Sequence, residues 1–301
     1  MDGRPEFRDV VGVLTSWDES GALTVVNRAG EAVALDERAL VAGKPVPPAP
    51  VRRGAAAPEL PGPAAMQRIA AAAWPAIEQE PLGDWVLRAS AGFTRRANSV
   101  QTLGDPGLPL DEALARVRAW YAERGLPAYL EITEPGSPEG LAAHAESLAA
   151  THVRTAPLAA LAAAPLAVDV RLARTPDAAW LSRYRRVTGG PEVQRAAMSL
   201  LLGGASTWFA SAHLPEVTDG PAAIGRLVVD GPWAYFGAVE VVPAARRRGL
   251  AAAVMTALAS RAAEEGATGA YLQVEADNAP AGALYDKLGF RTAYTYHYAR
   301  L

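Results

Sequence analysis

The most constraining stretch of this chain is residues 239–251, where an apolar strand runs into a basic turn that opens a helix. The turn has the spacing Arg246-x-x-Gly249-x-Ala251. The N-terminus of a helix presents unpaired N–H groups and the positive end of a dipole, which together bind anions. Glycine lets the backbone approach the anion because it has no Cβ, and the arginines at 246–248 supply donors suited to phosphate oxygens. The pattern predicts a site for a pyrophosphate or a similar anion.

The turn alone is weak evidence, because glycine-bearing turns between a strand and a helix bind many phosphorylated ligands. It has neither the Gly-Lys-Ser/Thr of a P-loop nor the glycines of a dinucleotide-binding fingerprint. The residues that follow are more specific. Residues 250–265 predict a helix and Ala270–Val274 predicts a strand. Asn278, Tyr285 and a Leu-Gly-Phe tripeptide at 288–290 then complete the pattern.

Together these segments resemble the closing half of the GNAT superfamily of N-acetyltransferases. There, Arg/Gln-x-x-Gly-x-Gly/Ala is followed by a strand, an Asn, a helix with a Tyr, and Leu-Gly-Phe. The resemblance covers about residues 166–301, the size of one domain. It implies a mixed α+β or α/β fold in which a mixed sheet is flanked by helices. It also implies that acetyl-CoA is the co-substrate and that an amine attacks its thioester directly.

The resemblance further implies a role for each matched residue. Backbone groups of residues 239–241 would bond the pantetheine arm and the acetyl carbonyl, whose oxygen gains charge during the attack. Tyr285 would lie near the thioester sulfur and donate a proton to the departing thiolate. The residues expected to bind the cofactor are Val239, Glu240, Val241, Arg246, Arg247, Arg248, Gly249, Leu250, Ala251 and Asn278.

The group that deprotonates the amine stays open. Many relatives place a Glu on the strand after the phosphate-binding helix, but Gln273 stands at the matching position and cannot act as a base. Glu240 and Glu275 are the alternatives, and strand alternation puts each on the face opposite its apolar neighbour. Loss of the proton through ordered water is an equal alternative.

Each of these residues also has a structural explanation. Tyr285 could be a packing aromatic, and Asn278 could simply cap the helix, which is compatible with ligand contact. Gly289 suits a left-handed residue that ends the helix. Arg247 and Arg248 could be plain surface charges, so Arg246 is the strongest of the three arginines by its position in the motif.

The chain divides into four segments by composition and pattern. Residues 1–43 predict a small SH3-like β segment, and residues 44–64, rich in Pro, Ala and Gly, predict an extended linker. Residues 65–165 predict a degenerate GNAT-like unit, and residues 166–301 predict the catalytic unit. The strands expected in the first segment are Val10–Leu14, Leu23–Val26 and Ala32–Leu35.

A faint internal repeat supports the tandem arrangement. Gly107-Leu108 and Ala128-Tyr129-Leu130 lie 142 positions before Gly249-Leu250 and Ala270-Tyr271-Leu272. The first copy predicts a strand at Ala97–Leu103 and a helix at 111–124. Gly104 replaces Arg246 there and Pro109 replaces Ala251, so a cation and an N–H donor are lost. We therefore expect one cofactor per chain.

Composition limits the class of function. The chain has 301 residues, a net charge of −3, four His and no Cys. The near-neutral charge gives no bulk attraction to nucleic acid or to an anionic membrane. The absence of Cys excludes disulfides, Cys-ligated zinc and a thiol nucleophile. We expect a cytoplasmic enzyme that uses no metal and has no nucleic-acid or membrane partner.

The order of the segments along the whole chain indicates a narrower family. The β-rich N-terminus, Gly-Asp-Trp-Val-Leu-Arg at 83–88, Arg-Arg-Ala-Asn-Ser-Val at 95–100 and the C-terminal unit resemble an actinobacterial family. Its members are described as short N-acetylglutamate synthases or as histone-like acetyltransferases. This implies a small amine acceptor in amino-acid biosynthesis, with glutamate leading. An acidic acceptor needs Arg or Lys in its cleft, and Arg95 and Arg96 would serve, although a plain polar surface also explains this pair. The alternatives are a modifier of protein lysines, docked by the SH3-like segment, and a regulator that binds acetyl-CoA without turnover.

Overall fold

The computed structural model describes residues 10–18, 20–27, 31–40, 57–162, 168–184 and 186–301. The chain forms two compact units, residues 1–48 and residues 49–301. The predicted linker lies mostly outside the described residues, but its last two positions already belong to a helix that begins at Pro63. The predicted boundary between residues 165 and 166 also lies outside the described residues.

The first unit contains a three-stranded antiparallel sheet. Three strands are present as expected: the second and third are slightly longer than predicted, whereas the first begins at Gly12 instead of Val10 and extends to Trp17. Gly21 has a φ of +84°, which suits the turn after the first strand, whereas the predicted turn residues 28–30 lie outside the described part. The SH3-like assignment stays a prediction. The strands are β1 (Gly12–Trp17), β2 (Ala22–Asn27) and β3 (Ala32–Asp36).

The second unit is a mixed sheet flanked by helices, as predicted. Its helices are α1 (Pro63–Ala72), α2 (Leu110–Glu123), α3 (Leu158–Ala162), α4 (Ala178–Arg183), α5 (Pro191–Leu202), α6 (Leu250–Glu264) and α7 (Ala279–Lys287). Its strands are β4 (Glu78–Leu82), β5 (Trp85–Ala89), β6 (Val100–Gln101), β7 (Tyr129–Thr133), β8 (Glu146–Pro157), β9 (Val170–Ala173), β10 (Ser206–Ala212), β11 (Ala223–Asp230), β12 (Trp233–Val241), β13 (Gly269–Glu275) and β14 (Arg291–Arg300).

One continuous sheet of 11 strands joins the two GNAT-like halves, in the order β4-β5-β6-β7-β14-β8-β13-β12-β11-β10-β9. Each half contains a parallel pair connected through a helix: β6, α2 and β7 in the first, β12, α6 and β13 in the second. The final strands are exchanged, because β8 pairs with β13 and β14 pairs with β7. The fold is therefore a tandem GNAT arrangement in which each half completes the sheet of the other.

The structure corrects one prediction in the first half. The strand expected at Ala97–Leu103 is reduced to β6, because Arg95–Ala97 forms a 3₁₀ turn. Thr102 leaves the ladder, and its hydroxyl donates to the carbonyl oxygen of Glu131 at 2.9 Å. Strand β8 was not predicted from the sequence. In the second half, α5 begins at Pro191, since proline suits the first position of a helix.

The main core lies between the sheet and α6. Val254 and Leu258 of this helix pack with Phe236 of β12 and Leu272 of β13. A Cβ at Gly225 would lie only 2.6 Å from Cγ1 of Val254, so glycine allows the helix to sit close to the strand. This packing holds the N-terminus of α6 beside the end of β12.

Candidate active site

The site forms where β12 and β13 separate. Their parallel pairing runs from Trp233 opposite Gly269 to Phe236 opposite Leu272 and then stops, although both strands continue. A bulge in β12 falls at the same level, where Ala238 has a φ of +50° and the register with β11 shifts. Backbone groups on the β13 side of the bulge therefore face an opening and not a neighbouring strand.

A groove of about 810 Å³ leads from this opening to the N-terminus of α6. The end of β12, the basic turn and α7 form its walls. The structure brings nearly all the predicted cofactor residues together here: Val239, Glu240, Val241, Arg246, Arg247, Gly249, Leu250, Ala251 and Asn278. Arg248 is the exception, because its guanidinium pairs with the carboxylate of Glu216 and it does not line the groove.

The turn before α6 has the backbone of an anion site. Gly249 is the N-cap residue with a φ of +80°, and no side chain caps this helix end. Arg247 has a φ of +63°, in the region that favours glycine. Within the described part of the chain, the amides of residues 247–252 donate no backbone hydrogen bond. These N–H groups are available to a phosphate.

The two arginines of the turn differ in their contacts. Nε of Arg246 donates to the carbonyl oxygen of Val241 at 3.4 Å, so its side chain folds back toward β12. The guanidinium of Arg247 is exposed and has no ion pair with any residue that the structure describes. A bound phosphate would find Arg247 without a competing carboxylate.

In the matching turn of the first half, other groups of the protein accept hydrogen bonds from the backbone amides. Asp105 stands where the second half has Arg247, and its carboxylate accepts from the amide of Gly107 at 2.8 Å. The amide of Gly104 donates to the carbonyl oxygen of Gly136 at 2.8 Å. Two amide donors of this turn are therefore occupied by groups of the protein, and a carboxylate replaces a cation.

A second cavity of about 680 Å³ opens on the other side of β12. Both halves build it: the first supplies Trp74, residues 92–96 and Thr151, and the second supplies parts of β12, β13 and β14. The two cavities share one wall. The shared residues are Val239, Glu240, Asn278, Ala281 and Tyr285.

The predicted pair Arg95 and Arg96 lies in the wall of this second cavity. The guanidinium of Arg95 is 5.4 Å from the ring centroids of Tyr129 and Tyr298. Nη1 of Arg96 donates to the hydroxyl of Tyr235 at 2.8 Å, while its Nε is buried without a partner. Arg186, which the sequence analysis missed, also lines the cavity. No pattern in the surrounding sequence singles out Arg186.

Tyr285 stands on α7 at the shared wall. Its ring makes an edge contact with Phe290, with 5.8 Å between ring centroids. Burial raises the pKa of Tyr285 to about 12, and the nearby Tyr235 adds to this effect. The phenol is therefore protonated at neutral pH, as a proton donor must be. Asn278 begins the same helix, and its side-chain oxygen accepts from the amide of Ala281 at 3.2 Å. It thus acts as the predicted cap.

Strand alternation predicts that each candidate base faces away from its apolar neighbour, but the structure does not separate them in this way. Glu240 and Glu275 line the second cavity, yet Val274 lines it as well, and Glu240 and Val241 both line the groove. Gln273 also lines the second cavity, and both polar atoms of its amide are buried without a hydrogen-bond partner among the described residues. Neither carboxylate is distinguished as the base by these contacts.

The described residues offer neither a metal cluster nor a membrane span. Within the described ranges, no group of three or more His, Cys, Asp or Glu residues is arranged to hold a metal ion. In the same part of the chain, no helix has both the length and the apolar character needed to cross a membrane. The expectation of a reaction without a metal stays a prediction.

The fold and the paired cavities define a GNAT-type N-acetyltransferase. The sequence profile of the family described as "Probable histone acetyltransferase Rv0428c C-terminal" matches residues 64–299, and the chain belongs to this family. The chain is 30% identical to "Uncharacterized N-acetyltransferase YobR" of Bacillus subtilis over 77% of its own length and 96% of that protein. It is 32% identical to "Probable histone acetyltransferase Rv0428c" of Mycobacterium tuberculosis, over 43% of this chain and 39% of that one.

Solved structures support the same fold. A GCN5-related N-acetyltransferase from Kribbella flavida superposes with a TM-score of 0.52 at 18% identity, over 78% of this chain and 94% of that chain. A tandem GNAT protein from the clavulanic acid biosynthesis pathway superposes with a TM-score of 0.53 at 16% identity, over 67% of this chain and 74% of that one. The second likeness matches the tandem arrangement of the sheet.

Proposed function

We propose that this enzyme transfers the acetyl group of acetyl-CoA to a primary amine that also carries a carboxylate, with glutamate as the leading acceptor. One observation carries the proposal: two cavities meet at the wall that contains Glu240 and Tyr285. One cavity ends at the anion-binding turn and suits the pyrophosphate of the cofactor. The other suits the acceptor, so the thioester and the amine would meet at the shared wall.

The charges of the second cavity favour an acidic acceptor. Three arginines line it, Arg95, Arg96 and Arg186, against the two carboxylates of Glu240 and Glu275. Arginine binds carboxylates through paired N–H donors. The carboxylates lie close to the shared wall, where they would accept the proton of an ammonium group.

The proposed reaction uses groups at the shared wall. The amine nitrogen bonds to the carbonyl carbon of the thioester, and backbone N–H groups at the bulge of β12 stabilise the charge that develops on the oxygen. The carbon–sulfur bond then breaks, and Tyr285 donates its proton to the thiolate. The proton of the amine goes to Glu240, to Glu275 or to ordered water.

A turnover screen tests the proposal. Acetyl-CoA is mixed with glutamate, 4-aminobutyrate, spermidine or a lysine-containing peptide, and free CoA is measured by a thiol reagent. The chain has no Cys, so every thiol comes from the cofactor. We expect turnover with glutamate and a KM for glutamate that rises roughly 10–100-fold in Arg95→Met, the loss of one charge-assisted hydrogen bond. Arg118→Met, on the exposed face of α2, is the matched control.

A second candidate acceptor is protein lysine. It is favoured by the name of the M. tuberculosis relative, "Probable histone acetyltransferase Rv0428c". Turnover with the lysine peptide and none with glutamate would favour this candidate. Tight binding of acetyl-CoA without turnover on any amine would instead support a regulator that only binds the cofactor.

A further inference from the structure

Arg154 links the two halves at α7. It lies on β8, the strand that the first half contributes next to β13, and it is only 6% exposed. Its Nη1 donates to the carbonyl oxygen of Gly282 at 3.0 Å, and its Nη2 donates to that of Phe290 at 2.9 Å. Nη2 also pairs with the carboxylate of Asp286. One buried guanidinium from the first half thus holds a helix of the second.

The residues that Arg154 contacts lie on both sides of Tyr285 in the sequence. Gly282 precedes it in α7, and the amide of Phe290 donates back to the carbonyl oxygen of Tyr285 at 2.9 Å. Asp286 and Phe290 lie at and just beyond the C-terminal end of α7, where a cation is favourable. None of the nine residues of α7, all of them described, is fully buried. Apolar packing therefore contributes little to the position of this helix, and the hydrogen bonds from Arg154 contribute more.

The charge of Arg154 also reaches Tyr285. Burial raises the pKa of the phenol, and the guanidinium of Arg154 acts in the opposite direction by stabilising the phenolate. A cation near the phenol therefore makes Tyr285 a better acid than burial alone would allow.

We propose that Arg154 is a positioning residue for Tyr285, so that the first half, although its own cofactor turn is blocked, takes part in catalysis by the second. The inference rests on the proposed function, because it assumes that Tyr285 donates the proton to the thiolate. It assigns to the exchanged strand β8 a role beyond completing the sheet.

A double-mutant cycle on turnover tests this role. Arg154→Met should lower kcat about 10²-fold, as expected when a reacting group is misplaced by about 1 Å, and should leave the affinity for acetyl-CoA nearly unchanged. In a Tyr285→Phe background the same substitution should have almost no further effect, because Arg154 acts through the phenol. Equal losses of kcat in the two backgrounds would overturn the inference.

Two further variants test which contacts of Arg154 are needed for turnover. Arg154→Lys keeps the charge and should recover part of kcat. Arg291→Met is the matched control, because Nη1 of Arg291 donates to the same carbonyl oxygen of Phe290 at 3.1 Å but to no group of α7. We expect it to have wild-type kcat. A loss in Arg291→Met as large as that in Arg154→Met would mean that support of Phe290 alone is enough, and would also overturn the inference.

Hydrogen exchange gives a readout that does not depend on turnover. Arg154→Met should exchange faster at the amides of residues 281–290 and should keep wild-type protection in α6. If the wild-type protein acetylates none of the amines, the proposed function fails. Hydrogen exchange is then the test of this inference, and unchanged protection of residues 281–290 would overturn it.

Discussion

Arg247 and Asp105 occupy equivalent positions in the two halves, 142 residues apart, and their side chains carry opposite charges. Arg247 is exposed and lines the groove of about 810 Å³. The carboxylate of Asp105 accepts from the amide of Gly107 within its own turn. The turn therefore presents a cation in the second half and a carboxylate that occupies one of its own amides in the first.

This difference predicts one cofactor site per chain. Titration calorimetry with acetyl-CoA should give a stoichiometry of one. Gly249→Val should remove that single event without revealing another. Two equivalent binding events in the wild-type protein would contradict the assignment of the first half as degenerate.

Gly249 should be needed for its backbone conformation as well as for the approach of the ligand. A Cβ built here meets no described atom within 4 Å, but a φ of +80° disfavours a β-branched residue by about 1–2 kcal/mol. We expect Gly249→Val to weaken the binding of acetyl-CoA at least tenfold.

Gly249→Asn separates the two effects, because Asn adopts positive φ more readily than Val. Asn should restore the turn but still place a side chain beside the pyrophosphate. Unchanged affinity in Gly249→Val would remove this turn from the cofactor site.

Arg247 and Arg248 form a matched pair of neighbouring arginines. Arg247 is exposed and lines the groove, whereas Arg248 pairs with Glu216. Arg247→Met should weaken acetyl-CoA binding by roughly 10–100-fold, the loss of one charge-assisted hydrogen bond to phosphate. Arg248→Met should change the dissociation constant little, because an exposed ion pair contributes little. A larger loss in Arg248→Met would reverse this assignment.

The buried amide of Gln273 should reduce the stability of the free enzyme. An unpaired buried polar group costs about 1–3 kcal/mol, and each kcal/mol regained raises Tm by about 2–4 °C in a domain of this size. We expect Gln273→Leu to raise Tm and to leave acetyl-CoA affinity unchanged.

Gln67 is the control, because it is 1% exposed and its side-chain oxygen accepts from the hydroxyl of Tyr294 at 2.6 Å. Gln67→Leu removes a satisfied partner and should lower Tm. If both substitutions lower Tm, the amide of Gln273 stabilises the folded enzyme and this prediction is wrong.

Buried tyrosines predict a loss of stability at alkaline pH. Burial raises the pKa of Tyr184 and Tyr285 to about 12 and raises the pKa of Tyr271, Tyr294 and Tyr296 as well. Below the unfolded pKa of 10.0, the phenols are protonated in both states and contribute no pH dependence. Above it the unfolded chain loses protons that the folded chain keeps, so the free energy of unfolding falls as pH rises.

Urea unfolding between pH 8 and pH 11.5 measures this effect, with phenolate absorbance recorded on the same samples. The free energy of unfolding should be flat up to about pH 10 and then decrease. Phenolate absorbance from the buried tyrosines should appear together with unfolding. Stability that stays constant up to pH 11.5 would show that these phenols titrate normally.

Local features of the site were predictable from the sequence. The turn at 246–251, helix α6, strand β13 and the cap at Asn278 each depend on neighbouring residues, and each was expected. The offset of 142 residues also pointed to the tandem fold. Short-range spacing carries this information because helices, turns and strand faces are set within a few residues.

Only the tertiary structure decided which elements meet. Strand β8 lies between β13 and β14, and this places Arg154 against α7 and Thr151 in the second cavity. Arg248 pairs with Glu216, which is also distant along the chain. Pairing between exchanged strands has no local signature. The sequence by itself determined the basic turn at 246–251 and the fold class, because both depend on short-range patterns. The second cavity, which both halves build, exists only through the long-range packing of the sheet.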